Sequence, residues 1–172
     1  LRLYQKLFFY FKVKKAIAAL DYFSPIIPNE FSIIQKAYSF SNLKYLDFTF
    51  GDIEYLAINS DSSSLGNRIL INNSATHAGN HLDVLQILLL CKVKHQLLVP
   101  LNYGNNKYKD SIASYCHDYF YDQFELLSEF IPRWEYSEKL KSCGFALMGH
   151  VRQQAMGNIY AVLFQGTKLF LY

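Results

Sequence analysis

A doubly wound α/β fold is predicted for residues 68–172, and three observations predict it. Short apolar runs alternate there with longer amphipathic ones, the pattern of strand and helix in turn. The apolar runs are nearly continuous, which suits strands covered on both faces of a parallel sheet. Four strand-helix-strand units follow one another, and right-handed crossovers would wind them into one open sheet with helices on both faces.

Taken in order, the first strand runs from Ile69 to Asn72 and the first helix from Asn80 to Cys91, where Leu82, Leu85, Leu88 and Leu89 recur at helical spacing. A strand from Gln96 to Leu101 and a helix from Lys107 to Phe120 follow. The next strand is Phe124 to Leu127, with a helix from Trp134 to Ser142 behind it. Phe145 to Gly149, a helix from Gln153 to Gln165, and Lys168 to Tyr172 complete the series.

Residues 1–60 read as a mainly helical remnant of another domain. Leu3 to Leu20 is a helix candidate in which Tyr4, Phe8, Phe9, Tyr10 and Phe11 mix with Lys6, Lys12, Lys14 and Lys15. Such a helix either packs against its own domain or lies on a membrane surface, as basic aromatic helices do. Pro25 and Pro28 end the stretch, and Asn29-Glu30 opens a short helix. The polar segment from Asp61 to Gly66 predicts a linker over residues 61–67.

Composition narrows the function classes. With 51% hydrophobic and 17% aromatic residues among 172, the chain can build a core and is not disordered or low-complexity. A net charge of +3 without a dense Lys/Arg stripe disfavours a nucleic-acid partner. The three cysteines, Cys91, Cys116 and Cys143, lack zinc-site spacing, and their odd number fits a reducing compartment. The sequon Asn72-Asn73-Ser74 lies at the end of a buried strand and does not alter that reading. No apolar run spans a bilayer, and no signal-peptide pattern opens the chain. A start without Met and a last run that reads as strand with no turn after it predict a piece of a longer protein, sticky and inactive by itself.

In open α/β sheets ligands bind beyond the carboxyl ends of the strands, and three of those loops are unusually polar. Asn73, Ser74, Thr76, Asn80 and His81 belong to the first, which feeds a helix N-terminus suited to an anion. Tyr103 and Gly104 belong to the second. His150, Arg152, Gln153, Gln154, Gly157 and Asn158 belong to the third, with Arg152 expected at the start of a helix, where a cation and free backbone amides would hold a diphosphate together. Convergence of these loops on one sheet edge is the expectation that separates a site from ordinary turn and cap chemistry. Phosphate-loop, dinucleotide, zinc-protease and nucleophile-elbow motifs are absent from the sequence. So is an Asp-x-Asp pair, which favours metal-free sugar transfer with the diphosphate neutralised by Arg, Lys and helix dipoles.

The stretches from Ile69 to Asp83, Val99 to Gly104 and His150 to Asn158 together resemble the TDP-N-acetylfucosamine:lipid II N-acetylfucosaminyltransferases, also called 4-acetamido-4,6-dideoxygalactose transferases (glycosyltransferase family 56). In that family the stretches read like GNSA…NNH, VPxxYG and Arg-Gln-Gln followed by Gly. Glu129 to Pro132, Tyr136, Leu140 and Cys143 continue the likeness weakly, and Ile27 to Phe31 with Tyr45 to Tyr55 are similar to the family's interdomain region. Thr76 to Gly79 departs from the pattern, with Gly79 where the first Asn of the NNH pair often stands. The resemblance implies a GT-B architecture, in which residues 68–172 form a truncated Rossmann-like domain for the nucleotide sugar. It implies transfer of a deoxyamino sugar from a TDP-sugar to an undecaprenyl-diphosphate-linked saccharide in bacterial surface polysaccharide synthesis, at the cytoplasmic face of the inner membrane, without cofactor or metal. Carried over, residues 73–81 line the cleft, Tyr103 and Gly104 lie near the nucleotide, and Arg152, Gln153, Gln154 and Asn158 hold the diphosphate and sugar; no residue is assigned as general base. A non-catalytic nucleotide-binding α/β module derived from such a transferase is the competing reading.

Overall fold

Strand β3 (Arg68–Ile71) sits at the centre of a sheet because every side chain after Arg68 is apolar and is buried on one face or the other. A computed structural model of the chain describes residues 2–39, 42–48 and 65–171. The chain divides into two units, Leu1–Asp52 and Ile53–Tyr172.

In the second unit, α3 (His81–Leu90), β4 (Leu97–Pro100), α4 (Asn106–Phe120), β5 (Phe124–Leu127), α5 (Arg133–Lys141), β6 (Cys143–Met148), α6 (Met156–Phe164) and β7 (Lys168–Leu171) follow β3. All five strands are parallel, in the order β5-β4-β3-β6-β7. The sheet therefore grows from β3 in both directions, as a doubly wound Rossmann-like α/β fold does.

Alternation along β3 explains the two layers of helix. Ile69 and Ile71 pack with Val84, Leu85 and Leu88 of α3 and with Tyr108, Ile112, Cys116 and Phe120 of α4. Those four α4 residues recur every fourth position, so one stripe of the helix is buried. Leu70 faces the other way, into a core shared with Leu140 of α5 and Ala161 and Val162 of α6. Each fully buried leucine contributes about 1.5–3 kcal/mol, and both faces of β3 are served. Asn105 starts α4 by accepting a hydrogen bond from the Tyr108 backbone N–H at 2.9 Å, the ordinary role of an N-cap asparagine.

In the second unit most predicted elements move by no more than one residue at either end, and two differ by more. Strand β6 begins at Cys143 instead of Phe145, because Arg68 of β3 already pairs with Cys143. Helix α6 begins at Met156 instead of Gln153. Asn72 is not the end of β3 but the first residue of the following loop. Of the expected linker, residues 61–64 lie outside the described residues, whereas Gly66 is held in the second unit by its N–H to Lys141 O at 3.1 Å.

The first unit contains α1 (Arg2–Ala18), β1 (Tyr22–Phe23), α2 (Asn29–Ala37) and β2 (Lys44–Tyr45), with β1 and β2 parallel. Helix α1 buries Ile17 and leaves Phe8, Phe9, Tyr10 and Phe11 exposed. Residues 49–60, expected in this remnant and its interdomain segment, lie outside the described residues, as does Tyr172. No helix among the described residues is long and apolar enough to cross a membrane.

Candidate functional site

Chain order reverses between β3 and β6, and in open α/β sheets ligands bind beyond the carboxyl ends of the strands at such a reversal. Asn72 ties the two strand ends together there. Its backbone N–H donates to Leu147 O of β6 at 3.0 Å, and its side-chain Oδ1 accepts the Gly149 N–H at 2.8 Å. The residue is fully buried with φ 55°, a conformation that asparagine tolerates better than most residues. Gly149 is required opposite it, since a Cβ there would stand 2.5 Å from Val84 Cγ2.

The three polar loops do converge. Asn73 Nδ2 donates to the Tyr103 hydroxyl at 2.6 Å, and Ser74 Oγ lies 3.5 Å from Asn73 Oδ1. Ala75 N–H donates to Tyr103 O and Ala75 O accepts the Asn105 N–H, both at 2.8 Å, which ties the loops after β3 and β4 together. Gly104 sits within this tie at φ 122°, where an added Cβ would run into the Ala75 backbone, so glycine serves both conformation and approach. The third loop joins through the Val151 N–H to Ala78 O at 3.0 Å and Gln154 Nε2 to Thr76 Oγ1 at 3.4 Å.

The start of α3 is closed from within. Asn80 occupies the cap position at φ 53° and makes no side-chain cap hydrogen bond. The Tyr108 hydroxyl instead accepts the His81 N–H at 3.2 Å and meets its Nδ1 at 3.3 Å, while the His77 ring lies 4.3 Å from the Tyr108 ring. The leading amide of the first helix, where an anion was expected, is thus already satisfied inside the protein. His81 has no exposed surface, and burial, followed by the nearby His150, lowers its pKa to about 4. Burial also lowers the pKa of His150. Both rings are thus held neutral near pH 7. Asn72 Nδ2, His81 Nε2 and His150 Nε2 are buried without a hydrogen-bond partner, a condition that natural proteins seldom leave unexplained.

The start of α6 is open. Arg152 and Gln153 are exposed and lie ahead of the helix, which corrects their expected place at its first turn; Arg152 Nε donates to Gln154 Oε1 at 3.2 Å. The helix is delayed because Gln154 is drawn to Thr76 and Ala155 adopts φ 60°, outside helical space. No side chain caps α6, so the backbone N–H groups of Met156, Gly157 and Asn158 have no acceptor within the helix. Gly157 adds room, with nothing within 4 Å of where its Cβ would be.

Asn158 Nδ2 donates to the Tyr136 hydroxyl of α5 at 2.9 Å. Burial raises the Tyr136 pKa against that hydrogen bond, and the Tyr103 phenol adds to the rise. The phenol is a neutral donor and acceptor beside the first turn of α6.

Sequence reasoning missed Asn72, Tyr108 and Tyr136 as parts of this site. Asn72 was hidden by its apolar neighbours in β3, and the two tyrosines sit on core-facing stripes whose hydroxyl partners come from other elements. Among the described residues no three His, Cys, Asp or Glu side chains are grouped to hold a metal ion. No protein-family model matches the chain and no curated protein matches it significantly, so the site itself carries the functional reading.

Proposed function

We propose that residues 68–172 bind the nucleoside diphosphate of a sugar donor, and that the chain is part of a glycosyltransferase. The carrying observation is the uncapped N-terminus of α6 at the strand-order reversal, with Arg152 ahead of it and open space at Gly157. Free amides, helix dipole and a fixed cation are the groups that a diphosphate needs. With the motifs resembling the 4-acetamido-4,6-dideoxygalactose transferases, the donor is a TDP-linked deoxyamino sugar and the acceptor an undecaprenyl-diphosphate-linked saccharide.

In this reaction the bond from the anomeric carbon to the β-phosphate oxygen breaks, and the acceptor oxygen forms the new bond while its proton passes to a base. Negative charge grows on the departing diphosphate, where Arg152 and the α6 amides lower the barrier by about 3 kcal/mol per well-placed donor. The Phe8, Phe9 and Phe11 side chains, exposed on a helix that also carries Lys12, Lys14 and Lys15, support peripheral contact with the cytoplasmic face of the bacterial inner membrane.

The test is incubation of the whole glycosyltransferase of which the chain is proposed to be part with labelled TDP-4-acetamido-4,6-dideoxygalactose and a polyprenyl-diphosphate disaccharide, with label counted in the lipid fraction. Transfer is the expected result. TDP binding without transfer marks a non-catalytic nucleotide-binding module, and absence of both overturns the reading.

A further inference from the structure

We propose that the stacked rings of Tyr103 and Phe130 form the platform on which the nucleobase of the bound nucleotide lies. The proposal rests on the donor-site reading above and names the part of the ligand that the diphosphate groups leave unaccounted for.

Tyr103 follows β4 and Phe130 follows β5, so both rings come from the carboxyl edge of the sheet. Their centroids are 6.2 Å apart with the planes inclined by only 18°. Although stacked, they remain 47% and 77% exposed. A ring pair this exposed loses little area to its own contact and presents flat apolar surface to water, where a planar base recovers stacking and burial together.

The platform is also held still. Tyr103 is fixed at its hydroxyl by Asn73 Nδ2 at 2.6 Å and at its carbonyl by the Ala75 N–H at 2.8 Å, so little ordering remains to be done when a base arrives. It leads toward the diphosphate groups: Tyr103 O accepts the Ala75 N–H at 2.8 Å, and the next residue, Thr76, accepts from Gln154 Nε2 at 3.4 Å, two residues ahead of α6. A nucleotide laid along that line has its base on the rings and its phosphates at the open helix end. Stacking discriminates weakly among bases, because each has a π-face, so the platform supplies affinity for a nucleotide and leaves the choice of thymine to other groups.

The test titrates the full chain with TDP and with inorganic pyrophosphate, in the wild type and in Phe130→Ala and Phe130→Trp. Exposure of Phe130 means that the thermal midpoint should not move. The expected result is that Phe130→Ala weakens TDP roughly 5- to 150-fold, leaves pyrophosphate unchanged, and is restored by Phe130→Trp. Unchanged TDP affinity in Phe130→Ala, or equal loss for both ligands, overturns the platform while leaving the donor site standing. Wild-type chain that binds TDP no more tightly than pyrophosphate also overturns it, and wild-type chain that binds neither overturns the donor reading as well.

Discussion

Helices α3 and α6 begin at the same sheet edge on opposite sides of the strand-order reversal, and both lack a side-chain cap. Each is preceded by a non-glycine residue at positive φ, Asn80 or Ala155. Their fates differ. Helix α3 starts on a fully buried histidine whose N–H is taken by Tyr108. Helix α6 starts on half-buried Met156 followed by exposed Gly157, with exposed Arg152 in the loop ahead of it. The contrast teaches that two uncapped helix starts differ in what the core does for them: it answers the leading amide of α3 and leaves that of α6 to the surface.

Three experiments would break or sharpen that contrast. The largest effect is expected at the open end: Arg152→Ala should lower transfer about 10²–10³-fold, about 3–4 kcal/mol in the barrier, with an unchanged thermal midpoint because the side chain is exposed. Steady-state rates beside a melting curve check both halves, and wild-type turnover would remove Arg152 from the leaving-group role.

The next effect belongs to the closed end. His81 has a folded pKa of about 4 against an ordinary 6.5, so the unfolded chain takes up the proton first. Its stabilising share is therefore complete above about pH 6.5 and is lost as pH falls toward 4, to a limit of about 3 kcal/mol. Denaturant melts across that window should show the slope, and His81→Gln should flatten it to what His150 contributes.

The smallest effect is expected from Tyr108→Phe, which strips the acceptor from the start of α3 without leaving a cavity. A loss of about 1–2 kcal/mol in urea midpoint with unchanged TDP affinity would confirm that this end is structural. Weaker TDP binding would mean that the two ends are not separate.

How much of this was legible in the sequence follows from where each interaction originates. The bounds of β5 and the buried stripe of α4 could be read directly, because one is a short apolar run and the other a four-residue period written in consecutive residues. Polarity of the three loops was equally visible, and the parallel sheet forces them to one edge. What escaped was set by contacts between elements. Gln153 and Gln154 favour helix locally, yet Thr76, 78 residues from Gln154, helps to delay α6. Nothing adjacent to Tyr108 announces that its hydroxyl meets His81. The pairing of Phe130 with Tyr103 likewise depends on two strands lying side by side.

Asn72 carries one more consequence. It is the acceptor position of a sequon, yet it has no exposed surface and its amide is engaged with Gly149. In a secretory host, oligosaccharide could be attached to Asn72 only before the chain folds, since the folded protein buries it. A glycan there cannot be enclosed between β3 and β6, so the central pair of strands could not close. Secretory production should therefore trap the chain unfolded, and replacing Ser74 by alanine to abolish the sequon should release it.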